Sequence, residues 1–489
     1  MDLQINIQGR YDLTGQIYRQ LREGILEGRL VGGERLPSTR DLAKQLRVSR
    51  KTTLDVFERL VMEGYLRTLA GDGTFVALGL ARAHAAVQSA NEPKVEAASN
   101  SSAVRKVWVE VPIALSMHPR RAPLTYDFRG GVTDKSHFPF DAWRRCFNHA
   151  LRVQARSRAD YREPGGEQEL RLAISRYVAF SRALVCNWQD VIVTQGAQQA
   201  LDLLARILIR PGDVVALEDP GYPPARAVFA AAGAEIVDVP VDAHGIVVAR
   251  LPREARLVYV TPSHQFPLGM PMTLERRVAL LEWAEQNHVV VAEDDYDGEF
   301  RFEGRPVESL KSLDRAGLVA YVGTFSKTIF PELRIGYVIP PRGLNAALQK
   351  AKQASDWHTC VLTQTALARF MLDGHFARHL RRVNRQYEAR RKTLIAYLQG
   401  SLSPWLDPIV PVAGIHLTAL LKGGIGEDKL IAAAREASIA LYRIGAYYAA
   451  EPAKPGFLFS YGEMSVEDIE TALNKLVTIL DNTPLRGAR

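Results

Sequence analysis

From Tyr321 to Ile339 the chain reads YVGTFSKTIFPELRIGYVI. Apolar strand-like runs at either end enclose one lysine, Lys327, with Ser326 before it and Arg334 seven residues after it. Lysines usually face solvent, but this one lies inside an apolar segment between a buried strand and a proline turn. A desolvated lysine near other cations has a lowered pKa, and its neutral amine can form a Schiff base with a carbonyl. Thr324, Ser326 and Arg334 supply the hydroxyls and the guanidinium that would answer a phosphate ester.

Working outward, the same apolar character recurs in DVIVT (190–194), DVVALE (213–218), AEIVDVP (234–240), LVYVTP (257–262), VVVAEDD (289–295), GLVAYVGT (317–324) and IGYVIP (335–340). Most are continuous apolar runs, as expected of strands covered on both faces. Helical stretches such as QQALDLLARILI (198–209) and ERRVALLEWAEQN (275–287) lie between them. Alternation of this kind predicts a doubly wound α/β sheet. Ligands bind such sheets at the carboxyl ends of the strands.

Three further features fall at those ends. In TQGAQQALDLL a strand ends in a glycine and a helix starts, so the N–H groups of Gly196, Ala197 and Gln198 would hold a phosphate. In EDPGYPPAR, Tyr222 sits on a Pro-Gly turn, where it would stack on a planar ring or pack in the core. In VVVAEDDYDGEF an apolar strand ends in Glu293, Asp294, Asp295, Tyr296 and Asp297. Like charges at a strand end are costly unless a cation, such as a protonated pyridine nitrogen, offsets them.

Phosphate loop, stacking aromatic, Asp with Tyr, then Ser-Lys with a following Arg is the order found in the fold-type I pyridoxal phosphate enzymes, the aspartate aminotransferase superfamily. The chain resembles them from about Asp127 to Asp481, most specifically in SKTIFPELRIGY. The resemblance implies that pyridoxal 5'-phosphate is the cofactor and that Lys327 holds its aldehyde. It implies that Asp294 pairs with the pyridine nitrogen, Tyr296 with the ring hydroxyl, and that Tyr222 stacks. Gly196, Ala197, Gln198, Thr324, Ser326 and Arg334 would bind the phosphate. The chain departs from the pattern in three places. Asp294 and Tyr296 are two apart where many members have three, and Glu293 stands at three, so the pyridine partner is Asp294 or Glu293, with Asp294 favoured. An Asn-Pro-x-Gly turn is replaced by SHQFPLG (263–269), where His264 or Gln265 would substitute. GFLFSYGEM (456–464) places Leu458 where an Arg usually grips a substrate carboxylate, and Arg443 is the nearest substitute.

A composition shift separates this large part from a smaller one. ARAHAAVQSANEPKVEAASNSS (81–102) holds no large apolar residue beyond two valines and reads as a linker, or as a marginal Ala-rich helix. Three units follow: 1–80, a linker 81–120, and 121–489. In the first, Leu13, Ile17, Leu21, Ile25 and Leu26 recur at helical spacing. Ser38 caps a short second helix, TRDLAKQL, and Ser49 a third, RKTTLDVFERLVMEG, with Leu54, Phe57, Leu60 and Val61 expected inward. A hairpin around Ala-Gly-Asp-Gly follows. Three helices and a hairpin make a winged helix-turn-helix, whose third helix enters the major groove of double-stranded DNA. Ser49, Arg50, Lys51, Thr52 and Thr53 would then meet the operator, Arg40 would clamp backbone, and Gly73 and Thr74 would lie against the adjacent groove. Charge does not decide this, since cations and acids nearly balance there; the pattern does. GERLPSTRDLAKQLRVSRKTTLDVFERLVMEGYLRTLAGDGTFV (33–76) closely resembles the GntR family of bacterial regulators.

Both halves together resemble the MocR-type subgroup of that family, a winged helix joined through a variable linker to an aminotransferase-like domain. The resemblance implies a homodimeric transcriptional regulator that senses a small amino compound, or the cofactor itself, with Arg443 and His264 near the effector. A working aminotransferase that carries a DNA module, and a DNA-binding protein whose large domain only dimerises, are the rivals. The chain's 489 residues suit two or three domains, and its composition (47% hydrophobic, 24% charged) excludes wholesale disorder and collagen. Cys146, Cys186 and Cys360 make neither a disulfide framework nor a zinc motif. The first residues carry no apolar signal core and no run reaches transmembrane length, which points to the cytoplasm and away from membranes. The basic segment 377–392 reads as a second DNA contact or as a solvated or dimer-facing helix.

Overall fold

The computed structural model describes residues 5–7, 9, 11–79, 107–110, 124–302, 308–422, 426–449 and 455–482. The chain divides into two compact units, Met1–Val104 and Arg105–Arg489. Most of the expected linker, 81–120, lies outside the described residues, which there include only the helical turn Val107–Glu110.

The first unit is built from α1 (Leu13–Leu26), α2 (Thr39–Leu46), α3 (Arg50–Met62) and the antiparallel pair β1 (Leu66–Leu69) and β2 (Gly73–Val76). Local chemistry sets its boundaries. Ser38 Oγ accepts from the Asp41 N–H at 3.2 Å and Ser49 Oγ from the Thr52 N–H at 3.1 Å, so both caps form as expected. Gly64, at φ +79°, stops α3 in a conformation glycine tolerates best. Ile17, Leu21, Ile25, Leu42, Val56, Phe57, Leu60, Leu66 and Val76 form one core. Two expected core positions of α3 are instead outside: Leu54 is 43% and Val61 37% exposed, while Thr53 and Val56 are fully buried. The inward stripe of α3 runs through 53, 56, 57 and 60, one position round from the expected one.

In the second unit β3 (Tyr126–Asp127) pairs in parallel with β14 (Ile439–Ala440), and an eight-stranded mixed sheet has the order β4-β11-β10-β9-β8-β5-β6-β7. Its strands are β4 (Ile192–Thr194), β5 (Val214–Asp219), β6 (Glu235–Asp242), β7 (Gly245–Ile246), β8 (Ala255–Val260), β9 (Val290–Asp295), β10 (Val319–Thr324) and β11 (Gly336–Ile339). Every strand expected from the apolar runs is among them. Strands β6, β5, β8, β9 and β10 run parallel, while β11 is antiparallel to both β4 and β10. The helices Ala197–Leu208 and Leu274–Asn287 take part in separate cores with the two faces of this sheet.

A second, four-stranded sheet, β12-β13-β16-β15, was not foreseen. It pairs Leu406–Ile409, His416–Leu421, Gly456–Ser460 and Tyr442–Arg443, and shares a core with the helices His375–Gln399 and Val466–Asp481. The helix His375–Gln399 contains the basic segment. Arg390 and Arg391 on it are buried: Arg390 pairs with Asp134 at 2.7 Å and Arg391 donates to the Pro411 carbonyl. Lys392 pairs with Glu388 one turn earlier. Arg390 and Arg391 are therefore structural, while the exposed cations of the segment are Arg378, Arg381, Arg382, Arg385 and Lys392.

Candidate functional site

The carboxyl ends of β4, β8, β9 and β10 meet around one cavity, lined by Gly131, Ala197, Gln198, Tyr222, Tyr259, Thr261, Phe266, Asp294, Tyr296, Thr324, Ser326, Lys327, Pro331, Arg334, Ile415 and His416. Strand alternation decides which acid reaches it. Asp294 and Tyr296 share a parity and both line it. Glu293 faces the other way, where its carboxylate accepts the N–H groups of Leu310 and Lys311 at 2.8 and 2.9 Å. Asp295, also on that side, pairs with Arg182 and accepts from the Tyr321 hydroxyl at 2.6 Å. Of these two acids, Asp294 lines the cavity and Glu293 does not.

Lys327 Nζ donates to the Gly131 carbonyl at 2.8 Å. Burial pushes this lysine down to about 8, with Asp297 and Asp294 pulling the other way. Asp294 accepts from the Tyr259 hydroxyl through Oδ2 at 2.8 Å, while its Oδ1 is buried without a partner. Burial raises Asp294 to about 7. An orphaned carboxylate oxygen of this kind matches a protonated ring nitrogen, which would satisfy it and hold it ionised.

The phosphate end is equally specific. Gly196, at φ +79°, precedes the helix Ala197–Leu208, whose first N–H groups receive no side-chain cap. A Cβ on Gly196 would stand 3.0 Å from the Arg334 guanidinium, so only glycine lets the arginine close on this turn. Arg334, itself left-handed at φ +53°, donates to the Gln195 carbonyl at 2.9 Å. Thr324 Oγ1 lies 3.0 Å from Ser326 Oγ. These groups fit a phosphorylated pyridine aldehyde: an amine, an unpaired carboxylate oxygen, and an uncapped helix start with an arginine.

Other expected residues fall elsewhere. His264 is buried and does not line the cavity; its Nδ1 lies 2.9 Å from Asp297, and its carbonyl accepts from the Tyr296 hydroxyl at 2.9 Å. Gln265 is also buried and donates to the carbonyls of Pro220 and Phe266. The residue that enters the cavity from this turn is Phe266, edge-on to Tyr222 with ring centroids 5.5 Å apart. Arg443 is a half-exposed side chain paired with Glu427 and Asp428, and it is not among the lining residues. Phe266, Ile415, His416 and Tyr259 went unnoticed in the sequence. The Phe-Pro step of SHQFPLG was the available signal for the first; nothing local marked the other three.

On the first unit, Arg40, Ser49, Arg50 and Lys51 are exposed and Thr52, Gly73 and Thr74 partly so. Thr53 is a correction. It is fully buried, and its hydroxyl donates to the carbonyls of Thr39 and Arg50 at 2.7 and 3.0 Å. It ties α2 to α3 and faces away from solvent, so it is removed from the DNA-contact set.

The neutral form of Lys327 is the nucleophilic one. The rate at which the cofactor-free protein takes up pyridoxal phosphate should therefore climb as pH rises through about 8 and level off above it. Stopped-flow absorbance over a pH series checks this, and a rate insensitive to pH there contradicts it.

Residues 130–476 match the family model described as aminotransferase class I and II, and residues 13–76 match bacterial regulatory proteins, gntR family. The probable rhizopine catabolism regulatory protein MocR of Rhizobium meliloti is 34% identical over 94% of this chain and 92% of its own length. The HTH-type pyridoxine biosynthesis transcriptional regulator PdxR of Corynebacterium glutamicum is 30% identical over 94% of each chain. Among solved structures, Pyrococcus horikoshii kynurenine aminotransferase in complex with PMP superposes with a TM-score of 0.71 at 26% identity, covering 78% of this chain and 98% of that one.

Proposed function

The chain belongs to the MocR-type DNA-binding transcriptional regulators, a GntR winged helix joined to an aminotransferase class I and II domain, and we propose that its large unit holds pyridoxal 5'-phosphate at Lys327 in order to sense a small amino compound or the cofactor itself. One observation carries the reading. The same cavity contains a part-buried amine, Lys327, and a buried acceptor without a partner, Asp294 Oδ1, at the strand ends of a family that depends on this cofactor.

When bound, the group supplies an aldehyde that primary amines attack reversibly, so that Lys327 and an effector amine compete for one carbon. The protein's own residues do the rest. Asp294 would hold a proton on the pyridine nitrogen, Tyr222 and Phe266 would exclude water from the ring, and the N–H groups at Ala197 and Gln198 would hold the phosphate with Arg334, Thr324 and Ser326, all of them lining the cavity. Released, Lys327 keeps the Gly131 carbonyl as its acceptor. An effector shifts DNA binding only by its differential affinity for two states of the large unit. In our reading the protein acts as a homodimer on two half-sites, in the cytoplasm; no described helix is long and apolar enough to cross a membrane.

Sustained amino transfer is not favoured. Leu458 is fully buried at the position where the enzymes use an arginine, and Arg443 is occupied by Glu427 and Asp428. A substrate carboxylate would go ungripped, and orientation is what makes loss of the neighbouring proton fast. The expectation is a spectral response to a cognate amine with little or no transfer to common keto acids. Turnover of roughly 1–1000 per second, the ordinary range for enzymes, would support the aminotransferase reading instead.

A further inference from the structure

Besides the residues assigned to phosphate, ring and lysine, the cavity is lined by Thr261, Phe266, Pro331, Ile415 and His416. Behind Phe266 the wall is apolar: Leu458 packs with Phe266, Ile444 and Tyr447 in one buried cluster. A Cβ added to Gly130 would stand 3.1 Å from Leu458 Cδ2, one residue from the carbonyl that holds Lys327. Among the described lining residues the only cations are Lys327 and Arg334, and Arg334 is committed beside Gly196. A carboxylate drawn into this space would lose its water without gaining a cation.

His416 adds the complementary preference. Its Nε2 is buried with no partner. With the ring uncharged and its proton on Nδ1, Nε2 is a bare acceptor. Burial, His264 and Lys327 keep the ring uncharged, so it cannot stand in for the missing arginine. A buried acceptor without a donor is costly, and a ligand that brings one gains accordingly.

We propose that the effector is a primary amine without a carboxylate that carries a second hydrogen-bond donor, with an amino alcohol as its simplest form: His416 Nε2 accepts from the hydroxyl, and Leu458 excludes acids. The proposal rests on the reading that Lys327 holds pyridoxal phosphate, and its test keeps the two apart. Full-length protein is loaded with pyridoxal phosphate, desalted, and titrated with 2-aminoethanol, propylamine and L-alanine, following visible absorbance and thermal unfolding. We expect 2-aminoethanol to act at a concentration at least tenfold lower than L-alanine, and lower than propylamine. In His416→Phe the advantage of 2-aminoethanol over propylamine should collapse to near unity. His416→Gln, which keeps an acceptor, should restore part of it. A loaded protein that answers L-alanine as readily as 2-aminoethanol overturns the proposal, as does an advantage that survives His416→Phe in a folded variant. A wild-type protein that retains no visible band after desalting overturns the underlying cofactor reading instead.

Discussion

Lys327→Ala protein, mixed with pyridoxal phosphate and desalted, should carry none of the visible absorption that the wild type keeps. The loss is expected to be complete, because among the described residues Lys327 is the only amine lining the cavity. Thermal unfolding supplies a second readout. At a hundredfold excess over its dissociation constant a ligand of the native state stabilises it by about 2.7 kcal/mol. That gain should appear in the wild type and be largely absent from the variant. An unchanged band in Lys327→Ala would place the cofactor elsewhere or remove it from the account.

The second large effect lies on the winged unit. Arg50 opens α3, with its side chain exposed beside the Ser49 cap. If it reads a guanine, Arg50→Ala should weaken the specific complex by about 1–3 kcal/mol and relax the sequence preference at one position. Arg40, exposed on α2, would touch phosphate, so Arg40→Ala should weaken all sequences alike and flatten the salt dependence. Footprinting and salt titrations of both variants check this. Normal affinity and selectivity in both would refute the assignment of α3 as the reading helix.

The large sheet was legible because its strands are continuous apolar runs and because chemistry at their carboxyl ends came in a fixed order. The small sheet was not. Two of its strands, Tyr442–Arg443 and Gly456–Ser460, pair although the sequence between them, 444–455, carries no signal that would join them. Within the site, motif order singled out Lys327, Asp294, Ala197, Gln198, Thr324, Ser326 and Arg334, and the fold brings all of them to one cavity. The SHQFPLG turn misled, since His264 turns its Nδ1 to Asp297 and Gln265 gives its amide N–H groups to backbone carbonyls, while apolar Phe266 takes the cavity position. His416 was invisible because a lone histidine in HLTALL gains meaning only when β13 is laid beside β16 and the cavity. On α3, period-3.6 patterning tolerates two nearly equivalent stripes, and Thr53 was assigned to solvent because a hydroxyl near a helix start looks like a DNA contact. Its two backbone acceptors, Thr39 and Arg50, belong to the α2–α3 corner and become adjacent only on folding.

The central claim is that the two units form one sensor, with the state of Lys327 setting affinity for DNA. The most direct measurement is binding of the full-length protein to its own promoter DNA, by fluorescence anisotropy, with and without pyridoxal phosphate, in wild type and Lys327→Ala. The account predicts that pyridoxal phosphate shifts the wild-type midpoint and leaves the variant's where it was. Equal midpoints in the wild type with and without the cofactor, or the same shift in both proteins, would contradict it.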